Sequence, residues 1–335
     1  MVRTVERKAP CQQSLARRAF TLVELMIAMV IILILIGLLI PAVSSVQTNA
    51  KNAKVRVEIE SLAKGVSDFK SAFGNVEPPS SITLYEAAAA GPTGSWDSRS
   101  AALIRRMFPN FNFGLARDIN NDGDTTDTFT LTGAECLVFF LGGPLVGEED
   151  ANANGVLDVG EDLNGNGKLD GGQPFGFAKN PANPFLLGAD ASGDGIIQPA
   201  EIDKGTRLGP FVEFEASRLI DIDGDFMKEF CDSLPNAVVP YVYVSSYGGR
   251  GYEVGDLSLN TTSTPSLTSV YMQGTLPFNA KSFQIISPGY DRVFGSGGFV
   301  EPGNDIPSRG VTIQGRDASE FESDNISNFY SKTLN

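Results

Sequence analysis

The sequence predicts an α+β protein. One long, bent N-terminal helix, transmembrane in its first half and amphipathic in its second, packs on a small antiparallel β-sheet head that carries an acidic, loop-rich insertion. Three observations lead there. Residues 25–43, LMIAMVIILILIGLLIPAV, run for nineteen positions without a polar side chain, which at ~1.5 Å per residue matches the ~30 Å hydrocarbon core a single spanning helix must cross. Apolar residues then recur at spacings of three and four as far as Phe73, the pattern of a one-sided helix. Short runs rich in Val, Ile, Tyr and Phe, broken by Gly, Pro and Asn, follow in the C-terminal third and read as strands.

The N-terminal segment comes first. Five basic residues and one acid precede residue 20, and a basic flank stays on the cytoplasmic side of a spanning helix. An ordinary secretory signal ends its apolar core in a small-residue cleavage site; here the polar residues that can mark a cut precede the apolar run. Glu24 stands at the edge of that run. A carboxylate in a membrane helix costs roughly 2.5–3.5 kcal/mol at the centre and usually has an identifiable partner. No basic residue follows Glu24 until Lys51, so the cation within reach is an amino terminus made by cleavage just before Phe20, its own or that of a packed neighbour.

Arg17-Arg18-Ala19-Phe20-Thr21-Leu22-Val23-Glu24-Leu25 resembles the prepilin signal of type IV pilins and type II secretion pseudopilins. The resemblance implies cleavage between Ala19 and Phe20 by a prepilin peptidase, with methylation of the new Phe20 amine. It also implies assembly roles for Glu24, the fifth mature residue, and for Pro41, the twenty-second, where the family often kinks its helix with proline. Ala19 departs from the Gly usual before the cut. The partners implied are the prepilin peptidase, other pilin or pseudopilin subunits in a filament, the inner-membrane secretion platform and the membrane itself. Retention of an acid at Glu24 fits a shaft position better than a filament tip.

The domains expected are a cytoplasmic leader over 1–19, a transmembrane helix over 20–43, an amphipathic periplasmic helix over 44–75, and a pilin-like head over 76–335 with its acidic insertion at 118–232. The helix, ~80 Å long if continuous, lines up Val43, Val46, Ala50, Ala53 and Val57, then Ile59, Leu62, Val66, Phe69 and Phe73. Gly74-Asn75 ends it and Pro78-Pro79 prevents resumption. Short helices are expected at 84–90 and 98–107, where Arg105 and Arg106 form a solvated face, and a buried one at 133–141. Strands are expected at 237–245, 268–273, 282–287 and 311–314.

Composition excludes several function classes. The formal charge is −14, and residues 20–335 hold 21 basic against 39 acidic residues, a net of −18. Such a body argues against nucleic acid, whose binding rests on Lys and Arg at phosphates. There is no histidine, which removes the usual zinc sites, imidazole base catalysis and every Ser-His-Asp or Cys-His arrangement. No Walker A, G-x-S-x-G or dinucleotide-binding glycine motif is present, and no pair of carboxylates is singled out for hydrolysis, so no enzyme is expected. Of the three cysteines, Cys11 lies in the leader. Cys136 and Cys231 either form a disulfide, worth ~4.5 kcal/mol in the chain-entropy account, or remain buried thiols, the reading we favour.

Residues 118–232 hold 23 acidic against 6 basic residues, a net of −17. Within them DANANGVLDVGE (150–161) and DASGDGIIQPAE (190–201) fit the twelve-residue calcium loop. Oxygen ligands fall at one, three and five (Asp150, Asn152, Asn154; Asp190, Ser192, Asp194), glycine turns the chain at six, and the carbonyls of Val156 and Ile196 follow at seven. Asp158 or Gln198 serves at nine, and Glu161 or Glu201 closes the site at twelve. DLNGNGKLDGGQ (162–173) ends in a neutral Gln; DINNDGD (118–124) and DIDGD (221–225) are partial. The loops at 150 and 162 are contiguous, so no paired EF-hand forms there. Finally, SFQIISPGYDRVFGSGG with Asn304-Asp305-Ile306 is similar to the C-terminal calcium region of the major type II pseudopilin. The motif carries over to Ser287, Asp291 and Asp305, with Arg292 where the family has Gly. The reading is a structural pseudopilin of a type II secretion system with structural calcium. The alternatives are a type IV pilin or minor pilin, or a membrane-anchored calcium-dependent adhesin or hydrolase.

Overall fold

A computed structural model describes residues 21–334, apart from 93, 122, 146–173, 190, 192, 194–196, 198–200, 203–206, 259–266 and 302–303 and the side chains of 41, 42, 44 and 45. The chain divides into two units, Met1–Ala50 and Lys51–Asn335. Helix α1, Leu22–Ala72, is unbroken through Pro41, since a proline removes one hydrogen bond and leaves the ladder on either side in place. In the first unit the large apolar side chains of α1 are exposed all round, from Leu22 at 74% to Ile36 at 46%. A helix with no polar face needs apolar surroundings.

In the second unit α1 buries Val55, Ile59, Leu62, Val66 and Phe69, and Phe73 just past its end continues the row. These alternate four and three residues apart and so hold one face. The expected stripe through Ala53 and Val57 is not the buried one: both residues are exposed, Val57 at 65%. Val57 follows Val55 by two positions, ~200° around the helix, which puts it on the opposite side. The helix ends as its sequence demands. Asn75 N–H donates to Lys70 O at 2.8 Å across Gly74, and both Gly74 and Asn75 are left-handed, at φ 63° and 61°, a Schellman stop.

The head then runs β1 (Ile82–Tyr85), α2 (Ser98–Met107), β2 (Thr128–Leu131), α3 (Gly133–Gly142), β3 (Phe177–Ala178), β4 (Arg207–Leu208), β5 (Leu219–Ile220), β6 (Glu229–Phe230) and β7 (Val242–Ser245). After α4 (Val254–Ser258) come β8 (Tyr271–Gln273), β9 (Leu276–Pro277), β10 (Phe283–Ser287), β11 (Gly298–Phe299), β12 (Thr312–Ile313), β13 (Arg316–Asp317), α5 (Ala318–Glu322) and β14 (Ile326–Ser327). Among the described residues the strands form six small sheets, not one, and every pairing is antiparallel except β8 with β11. The helix expected at 84–90 is corrected. Ile82, Thr83, Leu84 and Tyr85 pair with Leu131 back to Thr128, because β-branched and aromatic residues favour a pleated surface when a partner strand exists, and only a 3-10 turn at Ala88–Ala90 remains.

The central sheet, in the order β14, β10, β7, is buried on both faces. Tyr241 and Tyr243 join the core that contains the α1 stripe, while Val242, Val244 and Ile286 join a second core with Tyr271 and Phe294. Alternation along a strand delivers the two sets to opposite sides. Two further bonds anchor α1 at its polar edge: Tyr241 Oη donates to Glu58 Oε2 at 2.9 Å, and Arg218 Nη1 donates to the same oxygen at 2.9 Å. Helix α3, buried over its whole length, lies in contact with β6 and β7.

Candidate functional site

At the start of α1 Glu24, singled out for assembly, is bonded to Thr21. The Glu24 N–H donates to Thr21 Oγ1 at 3.2 Å, and Glu24 Oε2 accepts from the Thr21 N–H and hydroxyl, each at 2.9 Å. This is the reciprocal arrangement of a capping box, built from a Thr and an acid three positions later. It satisfies donors that a helix start leaves open. Residues 22–40 that follow have a mean hydropathy of 3.1 and qualify by length and composition as a membrane span. Pro41 lies within the helix, its side chain outside the described residues.

The acidic sites are placed unevenly. Asp150, Asn152, Asn154, Val156, Asp158 and Glu161 lie outside the described residues, as do Asp190, Ser192, Asp194, Ile196 and Gln198. Of the second loop, Glu201 Oε1 accepts from the Ala191 N–H at 2.9 Å, so the twelfth residue folds back on the loop's beginning. An antiparallel bridge between Gly188 and Ile202 closes the loop from outside. The backbone of Ile197 exchanges two hydrogen bonds with the side chain of Asn121, at 2.7 and 3.1 Å, which ties this loop to the partial loop at 118–124. In that partial loop Asp118 Oδ2 accepts from the Gly123 N–H at 2.9 Å. Beside it the buried Glu86 accepts from the N–H groups of Ile119 and Asp127, at 2.6 and 3.1 Å, and burial pushes its carboxyl up to about 7.

At the C-terminal turn the fold brings Ser287 and Asp291 close to one another through the turn at 289, and leaves Asp305 elsewhere. Ser287, fully buried, donates to Asp232 Oδ2 at 2.5 Å and accepts from the Gly289 N–H at 3.2 Å. Asp291 Oδ1 accepts from the Val293 N–H at 2.9 Å. Asp305 is exposed on the segment between β11 and β12; the carboxylate that meets the turn is Asp324, just after α5, whose Oδ2 accepts from the N–H groups of Tyr290 and Asp291 at 2.6 and 3.1 Å. Its Oδ1 is buried without a hydrogen-bond partner. Asp291 has an exposed side chain whose carboxyl is nevertheless partly withdrawn from water, and that desolvation, with the facing Asp324, pushes it up to about 7. Arg292 keeps the left-handed backbone, φ 63°, that a glycine adopts without strain.

Residues 15–40 match the family model of the prokaryotic N-terminal methylation motif. The chain carries that motif. With the apolar helix that follows, it is consistent with a type IV pilin-like protein, pilin or pseudopilin. No curated protein and no solved structure matches the chain. Ala19 and Phe20 fall inside the matched span and outside the described residues. The methylation motif says nothing of the head, where Cys136 and Cys231 are free, buried thiols. Burial, with neighbouring carboxylates, raises the Cys136 thiol far above its ordinary range and pushes Cys231 up to about 12, which favours the protonated, unreactive form.

Sequence reading missed Asp232, Asp324, Glu86, Glu135 and Glu229. Spacing gives no signal for them, because each meets its neighbours through the tertiary fold. One cue was present for Glu135: Thr132-x-x-Glu135 before an apolar run marks a capping box, and an acid fixed there is carried into the buried helix.

Proposed function

We propose that the chain is a structural pseudopilin of a type II secretion system, cut by a prepilin peptidase between Ala19 and Phe20, methylated at Phe20, and held as a single-pass inner-membrane subunit until it joins a periplasmic filament. Its work is mechanical, with no reaction of its own. The single observation that carries this is the methylation motif at 15–40 running without a break into the apolar length of α1. The apolar residues exposed all round that length suit first a bilayer and then a filament core of like helices, and Glu24 offers an incoming amine its counter-charge in a low dielectric. A type IV pilus subunit would use the same physics with different partners.

Calcium is the structural cofactor of the head in this reading, held by the loops at 150–161 and 190–201 and by Ser287, Asp291 and Asp324 at the C-terminal turn. The support is the oxygen-rich donor sets and the unpartnered Asp324 oxygen, which suit a hard cation. Intact-mass analysis of the membrane-bound protein tests the assignment: a chain beginning at Phe20 with one added methyl group is expected, and a chain starting near Ser44, or an uncut one, refutes it.

A further inference from the structure

The hairpin between β5 and β6 reads DIDGDFMKE from Asp221 to Glu229. As a calcium loop it is incomplete, because the twelfth residue from Asp221 is Asp232, and both oxygens of Asp232 are taken elsewhere, one by Ser287 and one by the Leu234 N–H. The fold supplies a different acid. Carboxylate oxygens of Glu135, Asp223 and Glu229 lie within 4.8 Å of one another, as do those of Asp221, Asp223 and Asp225, so Asp223 joins two sets into one group of five drawn from α3, the hairpin loop and β6.

An acidic group alone proves little, but this one contains a buried oxygen with nothing to bind. Glu135 is 1% exposed. Its Oε2 caps α3 by accepting from the Thr132 N–H at 2.5 Å, while Oε1 is buried without a hydrogen-bond partner. Leaving such an oxygen bare costs free energy comparable to a lost hydrogen bond or more. Glu229, 5% exposed, has one oxygen accepting from the Ile222 N–H at 3.2 Å. The loop is held open above them by its own turns: Asp221 accepts from the N–H groups of Gly224 and Phe226, and Asp225 from that of Met227. Among the described residues Lys228 stands near, its Nζ 4.0 Å from Asp221. Lys228 does not balance five carboxylates.

We infer that Glu135, Asp223 and Glu229, with Asp221 and Asp225 at the rim, form a divalent-cation site, for calcium by donor type, distinct from the two complete loops and completed by acids from outside the partial DIDGD loop. Calcium takes oxygen ligands at about 2.3–2.6 Å, so two ligands on opposite sides of one ion stand about 4.6–5.2 Å apart, and a group whose oxygens lie within 4.8 Å needs little movement to close on it. Glu135 replaces the missing twelfth-position acid from a distant helix. Bound there, the ion ties α3 to the β5–β6 hairpin. Unaided, the site holds charge poorly: burial, then neighbouring acids, push Glu135 and Glu229 each up to about 8.

This assignment is independent of export and of the two complete loops, and its test separates them. Calcium titration calorimetry on the full chain in detergent, stripped with chelator, is expected to show one ion fewer per chain for Asp223→Asn and for Glu135→Gln. The same binding event must survive in a Glu161→Gln, Glu201→Gln background; its loss there assigns it to the loops and overturns the inference. So does unchanged stoichiometry in Asp223→Asn, whose exposed side chain can be altered without disturbing the core. Thermal melts give the second reading. With chelator, Glu135→Gln melts at or above the parent, since a bare buried carboxylate is gone; with calcium it melts below. A variant shifted equally in both conditions makes Glu135 a helix cap and nothing more.

Discussion

Glu24 does two things at once, and a pair of substitutions separates them. Its backbone and carboxylate close a capping box with Thr21, and in the proposed assembly its charge meets an incoming amine. Glu24→Gln keeps an acceptor for the Thr21 N–H but loses the charge; Glu24→Ala loses both. Cleavage and membrane insertion should survive in each, while filament incorporation, read by cross-linking or shearing, should fall in both. Full incorporation of the Gln variant would show that only the cap matters. At the same scale the sequence showed oxygen donors without showing which of them meet. Asp305 follows the motif and stays exposed, whereas Asp324, nineteen residues later, reaches the turn at 289–291, because α5 and β14 return the chain to the edge of β10.

Short elements of the C-terminal layer hold together through buried charge. Glu322 at the end of α5 is fully buried; its Oε1 accepts from the N–H groups of Ser296 and Gly297 at 2.8 and 2.9 Å, and its Oε2 pairs with Arg309, whose Nη1 donates to Phe299 O at 2.7 Å. Such a pair offers little over an apolar replacement, but breaking one side strands the other charge, at a cost of about 3–5 kcal/mol. Arg309→Met should therefore lower unfolding free energy by about that much in urea titrations at fixed calcium, and adding Glu322→Gln should recover a large part. A loss under about 1 kcal/mol would mean that Glu322 finds water instead. Elements with a strong local period were legible: α2 and α3 stand where their caps and apolar faces put them. The strand at Ile82–Tyr85 was not, since four residues followed by an alanine run read as a helix until Thr128–Leu131 supplies a partner.

Across the molecule, a net of −17 over residues 118–232 opposes compaction by self-repulsion, and the calcium proposed above would offset it. At tenfold excess over its dissociation constant each site contributes about 1.4 kcal/mol by linkage. Glu161→Gln with Glu201→Gln should lower the calcium-dependent part of the melting temperature, and a melt indifferent to chelator would refute structural calcium altogether. The sequence by itself determined what is local: the prepilin-like signal from Arg17 to Leu25, the apolar run and the helix stop at Gly74-Asn75, because each rests on residues within a turn or two of one another. Only the tertiary structure decided which face of α1 is buried, that the strands divide among several small sheets, that Asp324 meets the turn at 289–291, and that Glu135 meets Asp223 and Glu229. Those depend on contacts between residues far apart in the chain, where burial in a shared core, and not spacing, selects the partner.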